Sequence, residues 1–312
     1  MGNVVEIINL VKKYKDLTAV NNLNITIKQG EIFGLLGPNG CGKSTTISCI
    51  LSLLKYESGT INLFEKPMKP EAYDIKAKIG VVFQEVAVIE ELNVIENIDY
   101  FCGLYITNKK QRQQYVQDAI ALVSLEEFTK FKPKQLSGGL LRRLNIACGI
   151  AHKPTLVILD EPTVAVDPQS RNAILEGIRE LNKKGATIIY TTHYMDEVEQ
   201  LCDRIVIMDK GEIKAEGTKE ELKALITTSE IITIDTNQIT EQNIKELETK
   251  QNIKTVEYRN EQLKVTYQGG TLNISHLLEY LTSKKISYTK IYSELPTLND
   301  VFLELTGKEL RD

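Results

Sequence analysis

The chain has 312 residues, 38 basic and 42 acidic, for a net charge of −4, with 42% hydrophobic and 26% charged residues. That is an ordinary globular balance, enough for one large domain and a smaller one, and neither half carries the basic surplus of a nucleic-acid surface. The five cysteines are scattered and never form a CxxC pair, which favours a reduced cytosolic protein over a disulfide framework or a zinc site.

The N-terminus shows no apolar signal core, and no apolar run approaches the ~18–20 residues of a membrane span. Next come strands and helices in alternation. EIFGLL (31–36), IGVVF (79–83), TLVILD (155–160) and TIIYTT (187–192) are continuous apolar runs suited to strands covered on both faces. Helical patterns fall near 43–54, 93–105, 111–124, 138–151 and 169–183. This alternation predicts an α/β fold with a largely parallel, doubly wound sheet. DRIVIMDKGEIKAEG (203–217) predicts a hairpin turning at Lys210 and Gly211.

Beyond about residue 228 the pattern changes. IITIDT (231–236) predicts a strand, EQNIKELETK (241–250) a helix, and 254–268 a hairpin turning at Asn260 and Glu261. SHLLEYLTSKK (275–285) then predicts a helix and ISYTKIYSE (286–294) a strand, giving the βαββαβ order of a ferredoxin-like α+β domain. A short helix in TLNDVFLELTG follows, capped by Thr297 or Asn299 and closed by Gly307.

Chemistry concentrates in the first part. After the strand EIFGLL comes GPNGCGKST (37–45), a full match to the phosphate-loop pattern. Gly37, Pro38, Asn39, Gly40, Cys41 and Gly42 form a loop whose backbone N–H groups can turn inward around phosphates. Lys43 would neutralise β- and γ-phosphate charge, the Ser44 hydroxyl suits Mg²⁺, and Thr45 follows in the first turn of a helix whose dipole favours anions. The run LVILD ends in Asp160, which places a carboxylate near the metal, and Glu161 is next, positioned to polarise an attacking water. His193 closes TIIYTT. A lone histidine at a strand end is more often structural, but beside nucleotide-binding strands it can reach a γ-phosphate. Gln84 follows IGVVF, where its amide oxygen can ligate Mg²⁺ or a water.

As a set, residues 4–220 resemble the nucleotide-binding subunit of ABC transporters, with a P-loop NTPase core and a helical subdomain. In that family's terms Tyr14 matches the aromatic that stacks on adenine, GPNGCGKST is Walker A, Gln84 the Q-loop residue, and LSGG (136–139) the signature. LVILDE is Walker B with catalytic Glu161, VAVD (164–167) the D-loop ending in Asp167, and His193 the switch histidine. The resemblance implies a head-to-tail homodimer with each ATP between one chain's Walker A and its partner's Ser137, Gly138 and Gly139. Ser137 also fits an ordinary helix cap, and both can hold. It further implies ATP and Mg²⁺ as ligands, hydrolysis coupled to transport, and a membrane permease docked on the segment after Gln84.

The boundaries expected on this basis are 1–225 for the nucleotide-binding domain, with its helical subdomain at about 85–153, and 229–312 for an accessory domain. GEIFGLLGPNG, EPTVAVDPQSR, TTHYMDEVEQLCDR and PTLNDVFLELTG are similar to subunits that work with ABC-2 type permeases, many of them exporters of antibiotics, peptides or other amphipathic compounds. That branch implies a place on the cytoplasmic face of the cell membrane. Leu140, Ala165 and Cys41 are points of departure or interest: Leu140 follows LSGG where a polar residue is common, and Ala165 stands where a D-loop glycine is common. Cys41, near a helix N-terminus, is expected to have a lowered pKa and to react with maleimide. A non-transport ABC ATPase of translation or DNA repair is disfavoured by the lack of a second ATPase domain, a coiled-coil insertion or a basic surface. A regulatory nucleotide-binding module is disfavoured by Asp160, Glu161 and His193.

Overall fold

The computed structural model describes residues 2–226, 228–269 and 272–307. The first strands are long and alternate in burial: β1 (Asn3–Tyr14) and β2 (Leu17–Lys28) pair antiparallel. They lead into β3 (Ile32–Leu36), α1 (Lys43–Ile50), β4 (Ser58–Leu63), β5 (Lys66–Pro67), α2 (Tyr73–Lys76) and β6 (Ile79–Val82). A helical stretch follows with α3 (Val94–Gly103), α4 (Lys109–Leu122) and α5 (Gly138–Ile150). The chain then alternates through β7 (Leu156–Asp160), α6 (Pro168–Lys183), β8 (Thr187–Thr192), α7 (Met195–Leu201), β9 (Arg204–Asp209) and β10 (Glu212–Gly217).

Two sheets result. The larger has the order β10-β9-β3-β8-β7-β6, with β9 to β6 parallel and β10 antiparallel at one edge. Every residue of β3, β7 and β8 is buried, as their unbroken apolar runs require. In a parallel sheet the loops after these strands all emerge at the same, C-terminal edge, where open α/β sheets bind ligands. The smaller sheet, β2-β1-β4-β5, is antiparallel. It adds to the single doubly wound sheet expected from sequence. Its signal was present in the period-2 alternation of Val5, Ile7, Ile25 and Ile27, all buried, opposite exposed neighbours such as Ile8 and Asn24. Asn9 and Asn22, at φ 50 and 51, lie beside the register shifts of this pair, and left-handed asparagine is the tolerated choice there.

The helices keep close to their expected spans, except that α1 stops at Ile50 rather than near 54. Capping explains the entries: the Asn93 side chain accepts from the Glu96 amide before α3, Ser137 from the Leu140 amide before α5, and Asp167 from the Ser170 amide before α6. The β9–β10 turn falls at Lys210 and Gly211, both left-handed at φ 49 and 80.

Contacts divide the chain between Thr218 and Lys219, ahead of the boundary near 225 suggested by sequence. The C-terminal unit comprises α8 (Lys219–Lys223), β11 (Thr228–Asp235), α9 (Glu241–Glu248), β12 (Ile253–Arg259), β13 (Gln262–Gln268), α10 (Asn273–Ser283), β14 (Lys290–Glu294) and α11 (Leu298–Thr306). Its sheet runs β12-β13-β11-β14 with every neighbour antiparallel, the ferredoxin-like order. Ile232, Ile234, Leu263, Val265, Leu247 and Leu281 from sheet and helices form its core. Asn260 and Glu261, at φ 50 and 62, make the β12–β13 turn, and Thr297 caps α11.

Candidate active site

The loop after β3 is pressed from two sides. A Cβ on Gly37 would lie 2.4 Å from the Met208 carbonyl of β9, and one on Gly42 would lie 2.4 Å from the Ala19 carbonyl of β2. Gly42 also has φ 111, so only glycine fits there. Thr46 opens α1 by donating both its amide and its hydroxyl to the Gly42 carbonyl, each at 2.9 Å. Lys43 folds back into the loop, its Nζ donating to Gly37 O at 2.7 Å and Pro38 O at 3.3 Å. The same Nζ lies 3.3 Å from Glu161 Oε1.

Glu161 leaves the end of β7 in a left-handed conformation, φ 47, which for a non-glycine residue costs about 1–3 kcal/mol. Thr191 of β8 holds this turn. Its hydroxyl and carbonyl both accept from the Glu161 amide, at 3.0 and 3.2 Å, and its hydroxyl donates to Asp160 Oδ1 at 2.5 Å. The other Asp160 carboxyl oxygen accepts no hydrogen bond among the described residues. His193 Nδ1 stands 3.4 Å from Glu161 Oε1. The structure thus brings Lys43, Asp160, Glu161 and His193 into one cluster. Ser44 is exposed and Thr45 half-buried in the first turn of α1.

Arg142 was not singled out by its sequence position, yet it is the main brace of this cluster. Only 4% exposed, it reaches from α5 to donate Nε to Pro162 O at 2.8 Å and its two terminal nitrogens to Gln84 O at 2.7 Å and Glu161 O at 2.6 Å. Phe83 O and Asp160 O are further acceptors. Burial pushes the Arg142 pKa down, against the opposing pull of Asp160, Tyr190 and Glu161. The detectable signal was its place on the buried face of an apolar helix, three residues from Gly139 and three from Asn145. Gln84, expected as a ligand through its side chain, is exposed, and its carbonyl is what Arg142 holds.

The signature lies apart from this cluster. Around a Cβ added to Gly138 there is nothing within 4 Å, whereas one on Gly139 would meet Ser170 Oγ at 2.2 Å and Asp167 Oδ2 at 2.8 Å. Gly139 therefore packs on the cap of α6. The hydrogen bonds from the Ser170 amide and hydroxyl hold the Asp167 pKa below its ordinary value. Leu140 packs on the core of the helical region, and Ala165 is left-handed at φ 58, where glycine would be unstrained. Tyr14 ends β1, partly exposed, with Lys12 Nζ 4.9 Å from its ring centre.

Cys41 overturns its expectation. The thiol is 3% exposed and faces the inside of the loop, where a Cβ on Gly37 would be 2.7 Å from its sulfur. Burial raises its pKa, and the charge of Lys43 offsets only part of that. The helix dipole loses to desolvation.

What these strand ends assemble is a P-loop nucleotide hydrolase. Residues 20–164 match the ABC transporter family, and residues 217–306 match the C-terminal domain of DrrA1-3-like ATP-binding proteins. The linearmycin resistance ATP-binding protein LnrL of Bacillus subtilis (strain 168) is 39% identical over 306 residues, covering 97% of this chain and 98% of LnrL. Nod factor export ATP-binding protein I of Sinorhizobium fredii (strain NBRC 101917 / NGR234) is 34% identical, covering 99% of this chain and 87% of that protein. Among solved structures, the dimeric post-hydrolysis state of the ATP-binding cassette MJ0796 bound to ADP and Pi superposes with a TM-score of 0.63 at 29% identity, covering 69% of this chain and 98% of that one. The chain belongs to the ATP-binding subunits of ABC transporters and is an ATPase of that family. ATP-binding cassettes of this family act as dimers with membrane permease partners. Among the described residues, no helix is long and apolar enough to cross a membrane.

Proposed function

We propose that this chain powers export of a drug, antibiotic, peptide or other amphipathic compound through a separate ABC-2 type permease on the cytoplasmic face of the membrane. The observation that carries the reading is likeness along the whole length, accessory domain included, to a linearmycin resistance protein. In it, two copies meet head to tail, and the open space around Gly138 supports an approach by a partner's nucleotide. Ser137 and the first amides of α5 would donate to that γ-phosphate, with the positive end of the helix behind them. Tyr14 stacks on adenine, Lys43 shifts onto the phosphates, Glu161 takes a proton from the attacking water, and His193 and Asp167 orient the closed site.

The residues present fit Mg²⁺. Asp160 keeps one oxygen without a hydrogen-bond partner among the described residues, Ser44 offers an exposed hydroxyl, and Gln84 adds an amide oxygen, all hard donors. When bound, the ion neutralises developing phosphate charge.

Docking on the helical region is supported by a groove of about 630 Å³ between α3 and α4, lined by Leu92, Arg112, Val116 and the exposed Tyr100. The test is affinity purification of the tagged chain from detergent-solubilised membranes of its host, with a drug-susceptibility profile of the deletion strain. Recovery of a hydrophobic permease and a sensitised deletion strain are expected. Recovery with ribosomes and no permease would overturn the reading.

A further inference from the structure

Four residues past His193, on the inner face of α7, lies Glu197, with 0% exposure. Its Oε1 accepts from Thr163 Oγ1 at 2.6 Å and lies 3.4 Å from Arg171 Nε. Its Oε2 accepts from Tyr190 OH and Thr192 Oγ1, both at 2.8 Å. Where these partners sit in the chain is what matters. Thr163 is two residues beyond Glu161, within the turn made left-handed at Glu161 and Ala165. Thr192 directly precedes His193 and also accepts from the Tyr194 amide at 3.0 Å. Arg171 comes from α6, the helix that begins at the D-loop, and its guanidinium lies 4.6 Å from the Tyr194 ring centre, which is itself 4.2 Å from that of His193. Burial and then the charge of Glu197 push the Tyr190 phenol well above its ordinary pKa, so its hydroxyl stays a donor.

We infer that Glu197 is a positioning residue for ATP hydrolysis, one buried carboxyl that fixes the turn carrying Glu161, the strand end carrying His193 and the helix behind the D-loop relative to one another. The inference rests on the proposed roles of Glu161 and His193. A glutamine at 197 keeps the shape but cannot satisfy every partner. With its amide nitrogen toward Arg171 it sets donor against donor. Turned the other way, it faces two hydroxyls that must both reverse their roles.

The test uses the full-length protein and separates turnover from binding. Glu197→Gln is expected to lower kcat for ATP at least tenfold while the KM and the Kd for ATP stay within twofold. Thr163→Val should lower kcat in the same way and Thr163→Ser should restore it to within threefold. The double variant Thr163→Val/Glu197→Gln should be no slower than the slower single, because both break one link. Unchanged kcat in Glu197→Gln, a parallel loss of kcat and ATP affinity, or multiplying effects in the double variant would overturn the inference. If Glu197→Gln does not fold, the Val and Ser variants of Thr163 decide it alone. Glu161→Gln in the same assay separates the two levels: full turnover there sinks the assigned role of Glu161, whatever Glu197 does.

Discussion

Lys43 Nζ lies 3.3 Å from Glu161 Oε1, and the two side chains are only 4% and 6% exposed. In the proposed reading these are the cation that meets the phosphates and the carboxylate that takes a proton from water, and here they pair with each other. On the proposed roles, ATP competes for Lys43 with Glu161 and with the Gly37 and Pro38 carbonyls. Removing one member of a buried pair leaves the other uncompensated, at a cost of about 3–5 kcal/mol.

Glu161→Gln should therefore tighten ATP binding several-fold, since the freed Lys43 charge then has only the phosphates to pair with. It should also lower turnover by about 10²–10⁴-fold through loss of the base. Titration calorimetry and phosphate release measure the two effects, and size-exclusion chromatography in Mg-ATP should show a dimer in the presence of the permease. Lys43→Ala should abolish ATP binding and lower the unfolding midpoint. Weaker ATP binding by Glu161→Gln would count against the competition between the carboxylate and the phosphates.

The two signature glycines should answer differently to the same methyl. Gly138→Ala meets open space and gains helix propensity, up to about 1 kcal/mol of stability. Gly139→Ala drives a Cβ against Ser170 and Asp167 and should cost about 1–3 kcal/mol. Urea melts of the two variants decide this. A bulky residue at 138 should leave ATP binding largely intact and abolish hydrolysis. A tryptophan there with normal turnover would remove the partner's nucleotide from that space.

Cys41 should be slow to alkylate. With its pKa raised, the thiolate fraction falls as pH falls, and at neutral pH little of the reactive form is present even when the sulfur is reached. Timed maleimide labelling at pH 7, read by peptide mass spectrometry, should show Cys41 modified at least tenfold more slowly in the folded protein than in denaturant. Rapid labelling blocked by Mg-ATP would restore the sequence-based expectation.

Arg142→Lys keeps a charge but loses the planar fork that reaches carbonyls on both sides of the site. Several buried carbonyls then lose a donor. A drop in stability of about 2–4 kcal/mol is expected, with a larger fractional loss in kcat than in ATP affinity. Thermal melts with steady-state kinetics check it. A stable, fully active lysine variant would make the brace dispensable.

Phosphate chemistry demands fixed residue types at fixed spacing, so the candidate site residues could be singled out in sequence. Lys43, Asp160, Glu161 and His193 do converge. The ferredoxin-like order was legible as well, since alternation and turn residues are local signals. Arg142 and Glu197 were not, because a charged residue on a helix is usually a solvated one and only packing reveals that these two are buried. In the smaller sheet the alternation of β1 and β2 was a local signal, but the pairing of β1 with β4, across more than thirty residues, leaves no mark on either strand. Cys41 was misjudged because position relative to a helix says nothing about which way a sulfur points.

Helix α5 carries Ser137 at its cap and Arg142 about 7.5 Å further along the same rigid rod. In the proposed pairing, the nucleotide that Ser137 feels is held by the other copy, while the carbonyls that Arg142 grips shape this copy's own hydrolytic turn. A tilt of the rod at one end is a displacement at the other. The two halves should then fire as a linked pair, visible as a Hill coefficient above one for ATP and as poisoning of both sites when a single mutant half is mixed with wild type.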